Sequence, residues 1–521
     1  MDNKEKYILA MYDVRGIQNY IFRTPDLKSA IGASTLVEGI IETALKDAIE
    51  QEMQNGRILT TDLVWFEEEC GPKQYVEDAY DIQILFIGGG NAFVIFRGKD
   101  LAVAINRKMA KYILEKTYAL QLAVAMIEKS DDYQKDQADI RRKMEQVKRR
   151  ISAATPFGAT PAVRIDARTG YPITHLSGEE EYSTEAFNKK KTAEIKRRDY
   201  AEEEKLIDSL RTKKGVDSNV AVIHIDGNNL GLSIRSMLLD KKSYQEGVSA
   251  QRQLSYLIDH SYKSVFYDMK GYIEKYGSQS IDLKIKENDL YIIPVVLAGD
   301  DITYVCNGRV ALESVNYFAK EISKRSMSAD DDPLVRERYS FSICAGIAYA
   351  NSHFPFHIAY DIAEECCESA KKTAKLPENM QDGKIGNWVD FHICRNIQAR
   401  NLKEMRLREY VTGTGEVLLT RPYFIKGDHQ TAGPVFDALG TSTQSISSLI
   451  NSMSYFLTKV PRKISKQLRN TYPLGRYEVE QLKAFLISRG HNMPNQTYEM
   501  YDGTRAKWYD ALELMDLFAQ A

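Results

Sequence analysis

The chain has few cysteines and none of the spacings that build a metal or disulfide framework. Its 521 residues include six cysteines, and no two of them form a Cys-x-x-Cys pair. Most lie in apolar stretches, which is typical of reduced, buried thiols. The sequence therefore excludes a zinc ribbon and a disulfide-stabilised secreted fold.

Long hydrophobic runs and an excess of one charge are also missing. No uninterrupted apolar run approaches the roughly 20 residues of a membrane-spanning helix, and the N-terminus enters a strand pattern rather than a signal-peptide core. The net charge is -2, so no overall basic field indicates nucleic-acid binding, and any RNA contact would be local. We expect a cytoplasmic protein of two to four domains that does not contact membranes.

What the chain does contain is an internal duplication. The first copy opens with the strand pattern of residues 7–13 and reaches an apolar hairpin at residues 82–96; the second opens at residues 220–226 and reaches a hairpin at residues 290–306. Asp13 and Gly89 are 76 positions apart, and Asp226 and Asp300 are 74 positions apart. This near-equality, with glycine-marked turns at both ends, predicts that one supersecondary unit occurs twice.

Each copy continues with a helical pattern and a further strand. In the second copy these are a helix over 310–327, a strand over 340–350 and a helix over 357–375. This order predicts an α+β fold with two ferredoxin-like (βαββαβ) domains, a helical linker and a helical C-terminal domain. The predicted divisions are 1–180 for the first copy with a helical insertion, 181–214 for a charged, solvated linker, 215–400 for the second copy and 401–521 for the C-terminal domain.

Three aspartates are expected to meet at one edge of the second sheet. Asp226 ends a strand, and Asp300 and Asp301 lie at the tip of the hairpin. Clustered carboxylates repel one another unless a cation lies among them, and Mg²⁺ or Mn²⁺ prefers such oxygen ligands. Two ions held there could activate a 3′-hydroxyl and stabilise a departing pyrophosphate. The alternative is an ordinary hairpin turn, where aspartate is common.

Phosphate contacts are predicted on both sides of this cluster. The turn Gly227-Asn228-Asn229-Leu230-Gly231 leads into a helix, whose first N–H groups could face a triphosphate. Lys371 and Lys375 lie four residues apart on one helix face and could neutralise phosphates. For these lysines alone, a solvated helix end is the alternative.

The first copy serves as an internal control for the acidic cluster. It retains Asp13, but its hairpin reads Gly88-Gly-Gly-Asn91, without a carboxylate where Asp300 and Asp301 would align. One aspartate without acidic partners binds Mg²⁺ poorly, so we expect Asp13 to hold the turn. The second copy is the catalytic candidate, and the first supports it or lends a surface for a second nucleotide.

Several motifs resemble two related families. The second copy resembles the palm of GGDEF nucleotide cyclases, and the two copies together resemble the polymerase-like large subunit of type III CRISPR effector complexes. The motifs are His224-Ile-Asp-Gly-Asn-Asn-Leu-Gly231, Leu297-Ala-Gly-Asp-Asp301, Cys344-Ala-Gly-Ile-Ala348, Ala363-Glu-Glu-Cys-Cys-Glu-Ser-Ala-Lys371 and, in the first copy, Tyr12-Asp-Val-Arg-Gly-Ile-Gln-Asn-Tyr-Ile-Phe22 with Gly88-Gly-Gly-Asn-Ala-Phe93. The resemblance covers about residues 5–400.

This resemblance implies that ATP is converted into cyclic oligoadenylate messengers in antiviral defence. It implies that Asp226, Asp300 and Asp301, with the adjacent Ile225, hold two Mg²⁺ or Mn²⁺ ions, and that Gly299 joins the nucleotide contacts. In the family, activity is switched on when subunits carrying a guide RNA pair it with a target RNA.

The chain departs from the family pattern in three respects. No histidine is followed by aspartate, so we expect no HD-type DNA cleavage, and the family's zinc-binding cysteines are missing. Ala298 replaces the first glycine of the family's Gly-Gly-Asp-Asp, and Asn228 stands where many members have a second aspartate. Asn228 keeps an oxygen donor without the charge, so nucleotide or product choice could differ.

Two other functions remain open on the sequence. A cyclase that makes cyclic dinucleotides from GTP would share the metal site. A non-catalytic scaffold would only pack within an RNA-guided complex. A homodimer is one way to bring two nucleotides together, and the internal duplication is another.

Overall fold

The chain forms two sheet-centred units followed by a mainly helical C-terminal region. The structure, a computed structural model, describes residues 6–24, 26–67, 70–88, 90–151, 162–197, 210, 218–279, 291–328, 339–381, 384–395, 401–426, 444–491 and 499–518. No helix in these ranges is both long and apolar enough to cross a bilayer. Five of the six cysteines are buried, as their apolar surroundings predicted.

The first unit contains nine strands and six helices within its described residues. The strands are β1 (Tyr7–Arg15), β2 (Thr61–Asp62), β3 (Phe66–Glu67), β4 (Gly71–Pro72), β5 (Ile82–Gly88), β6 (Asn91–Arg97), β7 (Gln121–Glu128), β8 (Ile173–Ser177) and β9 (Glu180–Ser183). The helices are α1 (Ile17–Phe22), α2 (Leu27–Val37), α3 (Ile40–Gln54), α4 (Lys99–Thr117), α5 (Tyr133–Arg150) and α6 (Thr184–Arg197). Its main sheet has the order β2-β5-β6-β1-β7.

The second unit and the C-terminal region follow. The strands are β10 (Asn219–Gly227), β11 (Ile292–Ala298), β12 (Asp301–Asn307), β13 (Ser326–Met327), β14 (Tyr339–Ser340), β15 (Ile343–Asn351), β16 (Met380–Gln381), β17 (Lys384–Ile385), β18 (Asn387–Ile393), β19 (Tyr423–Ile425), β20 (Tyr501–Asp502) and β21 (Arg505–Ala506). The helices are α7 (Leu230–Leu238), α8 (Tyr244–Gln279), α9 (Ala311–Ile322), α10 (Phe356–Ala374), α11 (Leu402–Glu409), α12 (Ile446–Thr458), α13 (Arg462–Thr471), α14 (Arg476–Ser488) and α15 (Tyr509–Leu514).

The two main sheets share one strand order. The second sheet reads β11-β12-β10-β15-β18-β19, so its first four strands correspond to β5-β6-β1-β7. In both units the first strand lies in the centre and pairs antiparallel with the strands on either side. Each hairpin also shifts register once at mid-strand, between Ile84 and Phe86 and between Pro294 and Val296. A mixed α/β fold is therefore confirmed, and the duplication predicted from spacing is visible in the topology.

Helix α10 covers the second sheet very closely. All of β15 except its last residue is buried, because packed elements cover both of its faces. At Gly346 in this strand, an added Cβ would collide with the Ala363 carbonyl and the Cys367 amide of α10. A side chain there would push the helix outward, so glycine sets the spacing between α10 and the sheet.

Helix α8 connects the two units. The Arg252 guanidinium is fully buried and donates hydrogen bonds to the carbonyl of Lys73 at 2.8 Å and, on β5, to those of Ile84 at 2.7 Å and Leu85 at 2.6 Å. These bonds satisfy carbonyls at the shifted register of β5. Farther along the same helix, Tyr262 belongs to the core of the second unit.

The structure differs from the expected solvated linker at residues 181–214. Its described helix α6 packs against the first unit, where the Lys189 ammonium is buried and donates hydrogen bonds to Glu185 at 2.6 Å and to the Tyr20 carbonyl at 2.7 Å. Residues 198–209 and 211–217 lie outside the described part. The hydrophilic sequence pattern did not reveal this buried ion pair.

The expected C-terminal division also changes. Tyr423–Ile425, beyond the predicted boundary at residue 400, adds an antiparallel strand to β18 of the second sheet. Likewise, the predicted helix over 310–327 ends at Ile322, and Ser326–Met327 forms a short strand with β14. Isolated strands of two or three residues carry too little periodicity to be predicted.

Candidate functional site

Two strand ends bring the predicted aspartates to one edge of the second sheet. Asp226 is the second-last residue of β10, and Asp301 begins β12, which pairs with β10 from Ile225 and Ile302 onward. Gly299 and Asp300 form the turn before Asp301, and Gly299 has a positive φ of 63°. The reversal therefore depends on a conformation that glycine adopts without strain.

Gly227 explains how closely these parts approach. A Cβ on Gly227 would lie 2.9 Å from the Asp300 Cβ, 2.7 Å from the Tyr262 hydroxyl and 2.6 Å from Leu230. All three contacts are too short for a real side chain at this position. The absence of a side chain on Gly227 thus lets Asp300 pack beside the end of β10.

The carboxylates of the turn are electrostatically unfavourable without a cation. Burial raises the pKa of Asp300 above its ordinary value. Burial and then the negative charge of Asp300 raise the pKa of Asp301 to about 7, although a hydrogen bond from Gln18 lowers it. A cation near either side chain would favour the charged carboxylates.

Asp226 has a cationic partner in the chain itself. The Lys371 ammonium of α10 contacts the Asp226 carboxylate and lies 3.4 Å from Glu368. Lys375, one turn later, caps α10 and is exposed. The helix thus delivers one of the two predicted lysines directly to the acidic cluster.

The donor set fits a hard divalent cation in its chemistry. Within the described residues, no group of three or more His, Cys, Asp or Glu side chains is arranged to hold a metal ion. Mg²⁺ usually takes only one or two protein carboxylates and completes its shell with water and substrate phosphates, so the aspartates suit it. Ile225 lies within the sheet between Ile302 and Ala345, with its side chain buried, so only its main chain could contribute.

His224, expected to be a satisfied buried residue, lies on the same strand. Its Nδ1 is 3.2 Å from the Thr303 hydroxyl and 3.6 Å from Asp301 Oδ1. Burial and then the positive charge of Lys371 lower the pKa of His224 to about 4. The imidazole is therefore neutral at pH 7.

The predicted phosphate turn consists of a buried residue, Asn228, followed by residues that form the N-terminus of α7. Asn228 is buried and its amide donates to the Ser342 hydroxyl at 3.2 Å and the Gly386 carbonyl at 3.1 Å. Asn229 precedes α7 with φ 53°, and Leu230 and Gly231 begin the helix. Asn228 thus holds the loop, whereas the following residues present the helix N-terminus.

A large cavity between the two units opens onto this edge. Its volume is about 1150 Å³. Its lining includes the predicted site residues Gly227, Asn229, Leu230, Gly231, Gly299 and Asp300. The other predicted site residues are not among the lining residues: Ile225, Asp226, Asn228, Asp301, Lys371 and Lys375. The space is large enough for a nucleotide or similar ligand, which pockets of 300–1,000 Å³ commonly accommodate.

The first unit reaches the site through α1, which sequence reasoning missed. Gln18 hydrogen-bonds to Asp301. Phe22 stacks on Tyr360 of α10 with ring centroids 3.4 Å apart, and the Tyr360 ring meets His224 edge-on at 5.8 Å. Both α1 residues lie in the first-copy motif, but nothing in its spacing indicates that they face the other unit.

Two further groups near the cluster were also missed. Glu364 of α10 lies close enough to raise the pKa of Asp301, in addition to burial and the charge of Asp300. Tyr262 of α8 is fully buried beside Gly227, and its hydroxyl has no hydrogen-bond partner among the described residues. The helical pattern of α8 indicates core packing and gives no signal for a polar role.

Comparisons with known proteins give matches in structure alone. No protein-family model and no curated protein matches the chain significantly. Chains of Csm1-Csm4 cassettes are similar to it. One, from the crystal structure of the Csm1-Csm4 cassette in complex with cA4, is 14% identical, with 99% of this chain and 70% of that chain covered and a TM-score of 0.46.

Two further structures show the same degree of similarity. The Csm1-Csm4 subcomplex in the type III-A CRISPR-Csm interference complex is 13% identical over 98% of this chain and 70% of that chain, with a TM-score of 0.47. The cassette in complex with one ATP is 13% identical over 99% and 70%, with a TM-score of 0.45. The similar structures thus include a subcomplex of a type III-A CRISPR-Csm interference complex, and type III CRISPR is the class that the motifs indicated.

Proposed function

We propose that this chain is a nucleotidyltransferase that converts ATP into cyclic oligoadenylates, and that its two units are palm domains. The observation that carries the proposal is the meeting of the end of β10, which carries Asp226, with the Asp300-Asp301 turn, whose Asp300 lines the cavity between the units. Together with the two-palm motifs, this arrangement favours transfer chemistry on a nucleotide. The proposed setting is antiviral defence, with guide-RNA-bearing effector subunits and target RNA as partners.

In the proposed reaction, the aspartates bind metal ions, and the start of α7 and the two lysines bind the phosphates. Asp226, Asp300 and Asp301 would hold two Mg²⁺ or Mn²⁺ ions, which would supply Lewis-acid activation of a 3′-hydroxyl and charge neutralisation at the leaving pyrophosphate. The first amides of α7 face the triphosphate, and Lys371 and Lys375 balance its charge. The 3′-oxygen forms the new bond to the α-phosphorus as the bond to pyrophosphate breaks, and the hydroxyl proton leaves to solvent.

Cyclisation also requires two nucleotides side by side, and we assign both of them to the cavity, whose volume of about 1150 Å³ exceeds that of common single-ligand pockets. Its walls come from both units, including Phe86 and Asn91 on one side and Gly227 and Asp300 on the other. Apolar and aromatic side chains there could hold bases while the acidic edge holds phosphates. The internal duplication therefore makes a homodimer unnecessary for the proposed reaction.

The test is incubation of the purified chain with each labelled NTP and Mg²⁺ or Mn²⁺, with products resolved by mass spectrometry. The same assay is repeated with candidate effector subunits and RNAs, and with Asp300→Ala/Asp301→Ala beside the first-unit control Asp13→Ala, which lies outside the cavity lining. A cyclic product from ATP that only the Asp300→Ala/Asp301→Ala variant loses supports the proposal. A product from GTP alone supports the cyclic-dinucleotide alternative.

If no NTP is consumed under any of these conditions, the scaffold alternative replaces the enzyme. That alternative further requires that Asp300→Ala/Asp301→Ala leave assembly with effector subunits unchanged. It also predicts a slightly more stable protein, since removing two neighbouring, partly buried carboxylates relieves their repulsion.

A further inference from the structure

The Tyr262 hydroxyl is a buried polar atom without an evident structural purpose. The side chain is fully buried, and its ring packs edge-on against Phe341 at 5.5 Å and at a tilt against Phe318 at 6.1 Å. No described residue forms a hydrogen bond with its oxygen. Buried hydroxyls nearly always have partners, so a group that lacks one calls for a functional explanation.

The position of this hydroxyl points to Asp300. A Cβ atom added to Gly227 would lie 2.7 Å from the Tyr262 hydroxyl oxygen and 2.9 Å from the Asp300 Cβ. The tyrosine hydroxyl and Asp300 therefore flank the same small space. The carboxyl group is one bond beyond that Cβ, so rotation about χ1 moves its oxygens relative to the hydroxyl. Because Gly227 has no side chain, nothing at that position separates the two groups.

We propose that Tyr262 is a positioning residue, whose hydroxyl donates a hydrogen bond to the Asp300 carboxylate when a divalent cation is bound. A carboxylate has two oxygens, so one can accept from the tyrosine while the other faces the cation. Such outer partners fix the orientation of a metal-binding carboxylate. The inference rests on the proposed function, because it assigns Asp300 to a metal.

Tyr304 provides a matched control in the same unit. It is also a fully buried tyrosine, but its hydroxyl lies 2.8 Å from the Ser314 hydroxyl and is satisfied. Tyr304→Phe therefore breaks an existing bond, whereas Tyr262→Phe removes an oxygen that lacks a hydrogen-bond partner among the described residues. Both variants delete a buried hydroxyl oxygen, but only the Tyr304 oxygen has a hydrogen-bond partner in the described part of the chain.

The experiment measures Mn²⁺ affinity by electron paramagnetic resonance and the metal-free melting temperature of the full-length protein. Tyr262→Phe is expected to weaken Mn²⁺ binding about 10- to 100-fold and to leave the melting temperature unchanged or higher. Tyr304→Phe is expected to lower the melting temperature and to leave Mn²⁺ affinity unchanged. A structural role alone would not produce this crossed pattern.

Two results would overturn the assignment, and they are distinguishable. Equal Mn²⁺ affinity in wild type and Tyr262→Phe, with weaker binding in Asp300→Ala, overturns the role of Tyr262 and leaves the proposed metal site standing. Equal affinity in wild type and Asp300→Ala overturns the metal site and this inference together.

Discussion

Each unit pairs a lysine with an aspartate at the corresponding position of its sheet, but the two units differ in the charges that surround this ion pair. In the first unit Lys148 Nζ lies 2.6 Å from Asp13, and in the second Lys371 contacts Asp226. Asp13 lies near the end of β1, and Asp226 lies near the end of the corresponding strand β10. Each lysine is the sixteenth residue of its helix, Lys148 in α5 and Lys371 in α10. The pair is thus common to both copies and cannot by itself be the mark of a catalytic site.

The hairpin is where the copies diverge. Gly88 pairs with Asn91 across the first hairpin, and Ala298 pairs with Asp301 across the second. In the first unit one carboxylate meets one ammonium, which leaves no charge for a cation to balance. In the second, Asp300 and Asp301 add two carboxylates to the same pair. The excess negative charge, rather than Asp226 alone, therefore distinguishes the proposed metal site.

The largest expected effect comes from exchanging the matched aspartates for asparagine. Asp226→Asn removes a proposed metal ligand and is expected to lower NTP turnover by at least about 10²-fold, the loss typical of one charge-stabilising group. Asp13→Asn is expected to leave turnover unchanged. Initial rates of product formation check both, and equal losses in the two variants would mean that the first unit also takes part in the chemistry.

A second test compares how closely the lysine helices approach their sheets. By strand register, Gly346 of β15 corresponds to the buried Ala125 of β7. Gly346→Ala forces α10 away from the sheet and is expected to cost about 2 kcal/mol in the free energy of unfolding. It also moves Lys371, so turnover falls with stability. Urea titration gives the free energy; an unchanged midpoint would show that α10 can shift without cost.

The reverse change in the first unit, Ala125→Gly, is the control for this test. It removes a buried methyl group and adds backbone freedom, so it destabilises the protein without touching α10. Turnover per folded molecule is expected to remain that of wild type. A loss of turnover here would mean that activity follows overall stability rather than the position of α10.

The two units should also differ in how strongly acid pH lowers their stability. The first histidine in the sequence is His175, whereas the second sheet carries His224 and His392, both buried. Burial first, and then nearby arginines led by Arg421, lower the pKa of His392 to about 2. The folded protein then binds fewer protons than the unfolded chain, so this contribution is complete above about pH 6.5 and is lost as pH falls below it.

The expected loss is about 1.4 kcal/mol per pH unit for one such histidine below pH 6.5. Urea titrations between pH 7 and 5 should show a flatter pH dependence in His392→Gln than in wild type. His353→Gln, at an exposed position, serves as the control and should keep the wild-type slope. Identical slopes in all three proteins would mean that His392 binds a proton as readily in the folded state as in the unfolded chain.

Sequence reasoning located the parts of the fold that depend on local pattern. The predicted hairpin over 82–96, the strand over 220–226 and the helix over 357–375 lie within a few residues of β5 and β6, β10 and α10. Each of these has a clear apolar period or a glycine turn at its end. The position of the three aspartates at one sheet edge could be predicted because a strand end and a hairpin tip are themselves local features.

The contributions that were missed come from elements distant in the chain. Gln18 and Tyr262 approach the aspartates from α1 and α8, and each reads locally as part of an amphipathic or buried helix. The sixth strand of the second sheet, β19, pairs with β18 across the intervening α11. Such contacts depend on how units pack together, which spacing within one segment does not encode.

The smallest expected effect tests the shared lysine directly. Lys148→Met removes a partly exposed ion pair and is expected to cost no more than about 1 kcal/mol in the free energy of unfolding, with turnover unchanged. Lys371→Met removes the same contact at the same helix position, but it is expected to lower turnover, because it also removes the charge that we propose balances the phosphates. Parallel urea titrations and rate measurements on both variants separate the two roles. Equal turnover in both would mean that Lys371, like Lys148, only neutralises its aspartate.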